Sequence, residues 1–119
     1  MELTIVDVFA EQPLSGNQLA VVEGCADLIG DAMQDIAREM NFSETTFVID
    51  QAEDRANVRI FTPAAELPFA GHPTLGTAWV LAGGKGRFIL DLDASAVPVE
   101  FRTGCRLCEP YVLSRRERA

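Results

Sequence analysis

The chain has 119 residues, 48% of them hydrophobic, which suits one domain with a real core. It contains no run of about 18 apolar residues, so no helical membrane span is expected, and a formal net charge of −8 disfavours nucleic acid and anionic membranes as partners. No basic segment precedes an apolar stretch at the N-terminus, so no secretory signal is read and the expected compartment is the cytoplasm.

In chain order, ELTIVDVF (2–9) reads as a strand, with Leu3, Ile5, Val8 and Phe9 apolar around Thr4 and Asp7. Pro13, Ser15, Gly16 and Asn17 make a turn, and LAVV (19–22) is a second, buried strand. Asp31 is the expected N-cap of a helix whose Met33, Ile36, Ala37 and Met40 fall at i, i+3, i+4 and i+7, giving one apolar face. Asn41 suits the left-handed residue that ends it. FSETTFVID (42–50), rich in β-branched and aromatic residues, is expected as a strand from about Thr45. Asp54 and Asn57 mark a turn region, and NVRIFTP (57–63) is a further strand stopped by Pro63. The small and apolar run from Thr74 to Leu81 predicts a helix over about 73–82 that is apolar nearly all round, and so enclosed by sheet. Gly83, Gly84 and Gly86 form a break, and RFILDL and VPVEFR are two short strands. The pattern is α+β, with a mostly antiparallel sheet wrapped around a central apolar helix.

The chain's one histidine, His72, lies in ELPFAGHPTLGTAW (66–79). A lone histidine ordinarily serves structure. Here Pro73 has the fixed φ suited to a first helical position, which puts Gly71 and His72 at a helix N-terminus. Unpaired N–H groups and the positive end of the helix dipole can hold a carboxylate or phosphate there without a basic side chain. Glu44 is the second candidate. Its ordinary role would be a solvated turn residue, whereas partial burial near Gly71 and His72 would suit it to take and return a proton. Glu66 is expected to cap or orient its loop, and Asn17 to stabilise a turn or to hydrogen-bond a ligand through its amide.

Cys105 and Cys108 form a single C-x-x-C, and Cys25 stands alone. A zinc site needs roughly four ligands, so with one histidine and no second pair the thiols are expected to be free. Residues 1–101 carry 16 acidic and 5 basic side chains, whereas residues 102–119 carry 2 acidic and 5 basic. The last 18 residues thus form a divergent basic tail.

Taken together, DVFAEQPLSGNQLAVV, MQDIAREMNFSETTFV and RIFTPAAELPFAGHPTLGTAW resemble, in this order and spacing, the phenazine biosynthesis PhzF-like family, which shares the diaminopimelate epimerase fold. The resemblance spans residues 3–101. It implies two similar domains, each a sheet around a central apolar helix, with the active site in the cleft between them. The glutamate of the SET motif, here Glu44, would be the acid/base; Gly71, His72, Pro73 and Thr74 would bind a small carboxylate-bearing substrate. Ala70 stands where the related epimerases place a thiol, and no metal or organic cofactor is implied. Family members run to about twice this length, as two ordinary domains would. The expected organisation is therefore a truncated N-terminal domain at 1–101, followed by a tail at 102–119 that is disordered or fortuitous sequence. The expected activity is cofactor-independent isomerase or epimerase chemistry, by a homodimer imitating the two-domain enzyme. A non-catalytic remnant or ligand-binding module, or one subunit of a split enzyme, are the alternatives.

Overall fold

The computed structural model describes residues 2–8, 17–68, 71–83, 86–92, 96–101 and 111–117. Pro13, Ser15, Gly16, Ala70, Gly84, Cys105 and Cys108 lie outside them. Strands β1 (Glu2–Val8) and β2 (Asn17–Glu23) pair antiparallel, with Thr4 opposite Val21 and Val6 opposite Leu19. Helix α1 (Gly30–Met40) then carries the chain back, so that β3 (Glu44–Gln51) pairs parallel to β2. Strand β4 (Arg55–Phe61) is antiparallel to β3, and the two-residue β5 (Glu66–Leu67) folds back on its end. Helix α2 (Gly71–Ala82) makes the second crossover, since β6 (Gly86–Asp91) runs parallel to β4. Strand β7 (Ala96–Phe101) closes a hairpin with β6, and β8 (Tyr111–Glu117) pairs antiparallel with β1. The sheet order is β7-β6-β4-β3-β2-β1-β8, with β5 attached to β4. Among the described residues, five of the seven pairings are antiparallel, which makes this a mixed α+β sheet.

Strand alternation sorts the core into two layers. On one face, Val6, Leu19, Val21, Val48, Val58, Ile60, Phe88 and Leu90 pack with Ala78 and Val80 of α2. On the other, Val22, Phe47 and Phe61 pack with Cys25 and with Met33 and Ala37 of α1. The rings of Phe47 and Phe61 meet edge to face, 5.5 Å apart. Helix α1 is amphipathic and lies on the sheet, as its 3.6-residue period requires. In α2, Thr74, Gly76, Thr77, Ala78 and Val80 are all buried, and the helix touches β1, β2, β3, β6 and β7.

Several boundaries differ from expectation. The residue before α1 is Ile29, with no side-chain cap, and Asp31 sits inside the first turn, where its carboxylate complements the helix dipole instead. Asn41 does end the helix with φ 55°, its N–H donating to the Ala37 carbonyl. Helix α2 starts at Gly71, so Pro73 is its third residue and not its first. Strand β4 begins at Arg55, before the expected start at Asn57. Gly83 and Gly86, both at positive φ, stop α2 and open β6. Within the basic tail, Tyr111–Glu117 forms a strand, so the tail is not without structure there. Among the described residues, no helix is long and apolar enough to cross a membrane.

The Cys25 thiol is fully buried and donates to the Val22 carbonyl at 3.1 Å. Burial pushes its pKa up from 9.0 to about 11. A folded-state pKa above the unfolded value stabilises fully below pH 9 and is lost as pH rises toward 11. Denaturant titrations should therefore show Cys25 costing about 1 kcal/mol of stability by pH 10, a loss absent from Cys25→Ala. An equal slope in both proteins would show that the thiol ionises as freely folded as unfolded.

Candidate functional site

The topology decides which candidate residues share an end of the sheet. Thr45 is opposite Phe61, so β3 begins where β4 finishes. Leu19 is opposite Glu44 in the parallel β2–β3 pair, so β2 begins at that end too. Because β6 is parallel to β4, the chain leaving Phe61 must return to the far end before β6 can start, and α2 makes that return. Asn17 at the head of β2, Glu44 at the head of β3 and Gly71–Thr74 at the head of α2 thus belong to one end of the fold.

Register then fixes the face. Glu44 is level with Leu19 and alternates with Thr46 and Val48. Leu19 and Val48 belong to the layer beneath α2, so Glu44 is on the α2 face. It is half-buried, next in line after side chains that are completely covered. Thr74, in the first turn of α2, is buried.

The same face carries an unusual set of hydroxyls. Thr4 and Thr46 in the sheet and Thr77 in α2 are all fully buried, and their Oγ1 atoms have no hydrogen-bond partner among the described residues. Thr4 and Thr46 are on the same row, either side of Val21. Buried hydroxyls are normally satisfied, so these three mark a polar seam under an otherwise apolar helix.

The loop that delivers α2 is held from the opposite face. The Arg59 guanidinium donates to both carboxylate oxygens of Glu66, Nε to Oε2 at 2.8 Å and Nη2 to Oε1 at 2.7 Å. That guanidinium beside Glu66 holds its carboxyl below the usual 4.5, so the pair stays ionised at neutral pH. Arg59 also lies over the Phe61 ring, 5.5 Å from its centroid. From α1, Gln34 Nε2 donates to the carbonyls of Thr62 at 2.9 Å and Pro63 at 3.2 Å. Between them, the Thr62 hydroxyl accepts from the N–H groups of Ala64 and Ala65. Glu66 therefore does orient its loop, but as half of an ion pair and part of β5. Arg59 and Gln34 escaped the sequence reading, because nothing local signals a partner seven or 28 residues away.

A cleft of about 950 Å³ lies along β4, where Arg59–Glu66 and a second bidentate pair, Arg55–Asp91, form part of its lining. Among the described residues, neither Glu44 nor Thr74 lines it. Among the described residues, no three His, Cys, Asp or Glu side chains are grouped to hold a metal.

The sequence pattern of the phenazine biosynthesis-like PhzC-PhzF family matches residues 6–106. The chain belongs to that family. Its match runs five residues past the boundary at 101 expected above. Among curated relatives of this PhzC-PhzF chain, the trans-2,3-dihydro-3-hydroxyanthranilate isomerase of Pseudomonas aeruginosa is 52% identical over an alignment of 97 residues that covers 79% of this chain and 35% of that enzyme. A predicted epimerase from Pseudomonas aeruginosa superposes with a TM-score of 0.78 at 39% identity, over 87% of this chain and 39% of the other. A PhzC/PhzF phenazine biosynthesis protein from Clostridium difficile gives 0.79 at 31% identity, over 87% and 41%. The chain spans about a third of the length of the curated relatives it matches.

The hydroxyl seam generates a stability test. Thr46→Val removes a buried, unpartnered hydroxyl while keeping the branched shape, and should raise the unfolding free energy by about 1 kcal/mol in urea. A comparable loss would show that the hydroxyl makes a bond in solution.

Proposed function

We propose that this PhzC-PhzF chain provides the acid/base half of an isomerase that moves a proton within a small carboxylate-bearing substrate, without metal or organic cofactor. Glu44 takes the proton from a substrate carbon as its carboxylate becomes the acid, and returns it at another carbon, so no electrons leave the substrate. The N–H groups at the start of α2, from Gly71 through His72, Pro73 and Thr74, hold the substrate carboxylate, assisted by the Asn17 amide. Proline contributes no N–H, so Gly71, His72 and Thr74 are the donors.

The observation that carries this reading is the register of Glu44. It sets a half-buried carboxylate on the α2 face, at the end where that helix begins. A helix start attracts anions, and a carboxylate base works best beside a substrate pinned by its own carboxylate, since orientation replaces random encounter. The isomerase names of the relatives support the same chemistry.

The second wall of the cleft is proposed to come from another copy of this chain. Two copies about a two-fold axis would enclose the substrate and exclude water. The homodimer would work in the cytoplasm, with neither nucleic acid nor membrane as a partner.

The trial compound is trans-2,3-dihydro-3-hydroxyanthranilate, taken from the relatives' name. In D2O the wild-type protein should place solvent deuterium on a ring carbon of the product to the extent that protonated Glu44 exchanges with solvent before delivering its proton, and Glu44→Gln should slow product formation and labelling together by at least about 100-fold. Incorporation that survives Glu44→Gln would remove Glu44 from the role of base. Light scattering across a micromolar dilution series should give twice the monomer mass. A monomer mass would reject the homodimer and direct attention to a split partner or a remnant.

A further inference from the structure

The start of α2 is separated from the site's stable framework by very little chain. Leu67 ends β5 and Gly71 begins the helix, so at most about 14 Å of extended backbone joins them. Whatever fixes β5 therefore limits where the first turn of α2 can be.

Strand β5 has only two residues, and a strand that short is weakly held by its ladder bonds alone. Its extra hold comes from Arg59. The guanidinium is bidentate to Glu66 on β5 and lies over the Phe61 ring on β4. A Cβ added to Gly30 would lie 3.1 Å from Arg59 Nη2, so that residue is small where the guanidinium passes. One helical turn on, Gln34 grips the carbonyls of Thr62 and Pro63, the loop leading into β5. The contacts join α1, β4 and β5 on the face of the sheet opposite α2.

We propose that Arg59 and Gln34 are positioning residues for the substrate-holding start of α2, acting through Glu66 and the 62–65 loop. The proposal rests on the functional reading above only for what α2 holds; the positioning itself concerns the helix start. A bidentate pair specifies direction as well as distance, and lysine, a point charge, cannot reproduce it.

The second bidentate pair of β4 is a built-in control. Arg55 donates to Asp91 at 2.9 and 2.6 Å, at the opposite end of the same strand and away from the α2 start. Amide hydrogen exchange should be followed in the wild type, Arg59→Lys, Gln34→Ala and Arg55→Lys, together with titration by trans-2,3-dihydro-3-hydroxyanthranilate. Arg59→Lys and Gln34→Ala should speed exchange across residues 62–75 by about tenfold, with the rest of the sheet unchanged. They should also weaken binding, whereas Arg55→Lys should do neither. Unchanged exchange at 71–75 in both clamp variants would overturn the proposal, as would an equal effect of Arg55→Lys. If the wild type binds none of the compound, the functional reading fails, and the exchange rates still decide the positioning role.

Discussion

The antiparallel pairing of β3 with β4 stands between two parallel crossovers, and most of the architecture depends on it. The β2-α1-β3 and β4-α2-β6 units both step in the same direction along the sheet. Crossovers of one hand that step the same way put their helices on the same face only when their strands run the same way. Because β4 runs against β3, α1 and α2 are sent to opposite faces, as the two core layers show. The same reversal brings the end of β4, and therefore the start of α2, to the head of β3. Glu44 meets the α2 end of the molecule for a topological reason before any side-chain chemistry applies.

This arrangement divides the labour of the two faces. The α2 face holds the apolar helix, the hydroxyl seam and Glu44. The α1 face holds the Phe47–Phe61 pair, the buried Cys25 and the Arg59 assembly. Side chains on one face can hold the β4–β5 loop in place without entering the space above the other. A clamp across the sheet is therefore compatible with an open approach to Glu44, which a clamp on the α2 face would obstruct.

The parts of this legible in sequence are those with a local period or a local cap. Met33, Ile36, Ala37 and Met40 announced α1, and Asn41 its left-handed end. The apolar run after Pro73 announced α2, and the motifs at Glu44 and Gly71–Thr74 announced the family that the match over 6–106 establishes. Strand β5 went unread because two residues have no periodicity, and β8 because VLSRRE does not alternate like a buried strand. The N-cap was misplaced because Asp31 carries a capping side chain, whereas the helix begins at Gly30 after Ile29, which has no side chain able to cap. Parallel pairing has no signature within a strand, so the shared end of Asn17, Glu44 and α2 became visible only with the register.

The distribution of positive charge bears on how such a site can hold an anion. Residues 1–101 contain only five basic side chains. Arg38, Arg55 and Arg59 are each bound to a carboxylate, of Asp35, Asp91 and Glu66. Arginine committed in this way to fixed pairs has little of its field left for a ligand, and the net charge of −8 repels one at long range. On the proposed reading, a substrate carboxylate on the α2 face would be held at close quarters by oriented N–H groups, whose pull is short-ranged and depends steeply on position. That dependence is why exact placement of the first turn of α2, by a clamp on the far side of the sheet, carries more weight here than it would in a site lined with lysine or arginine.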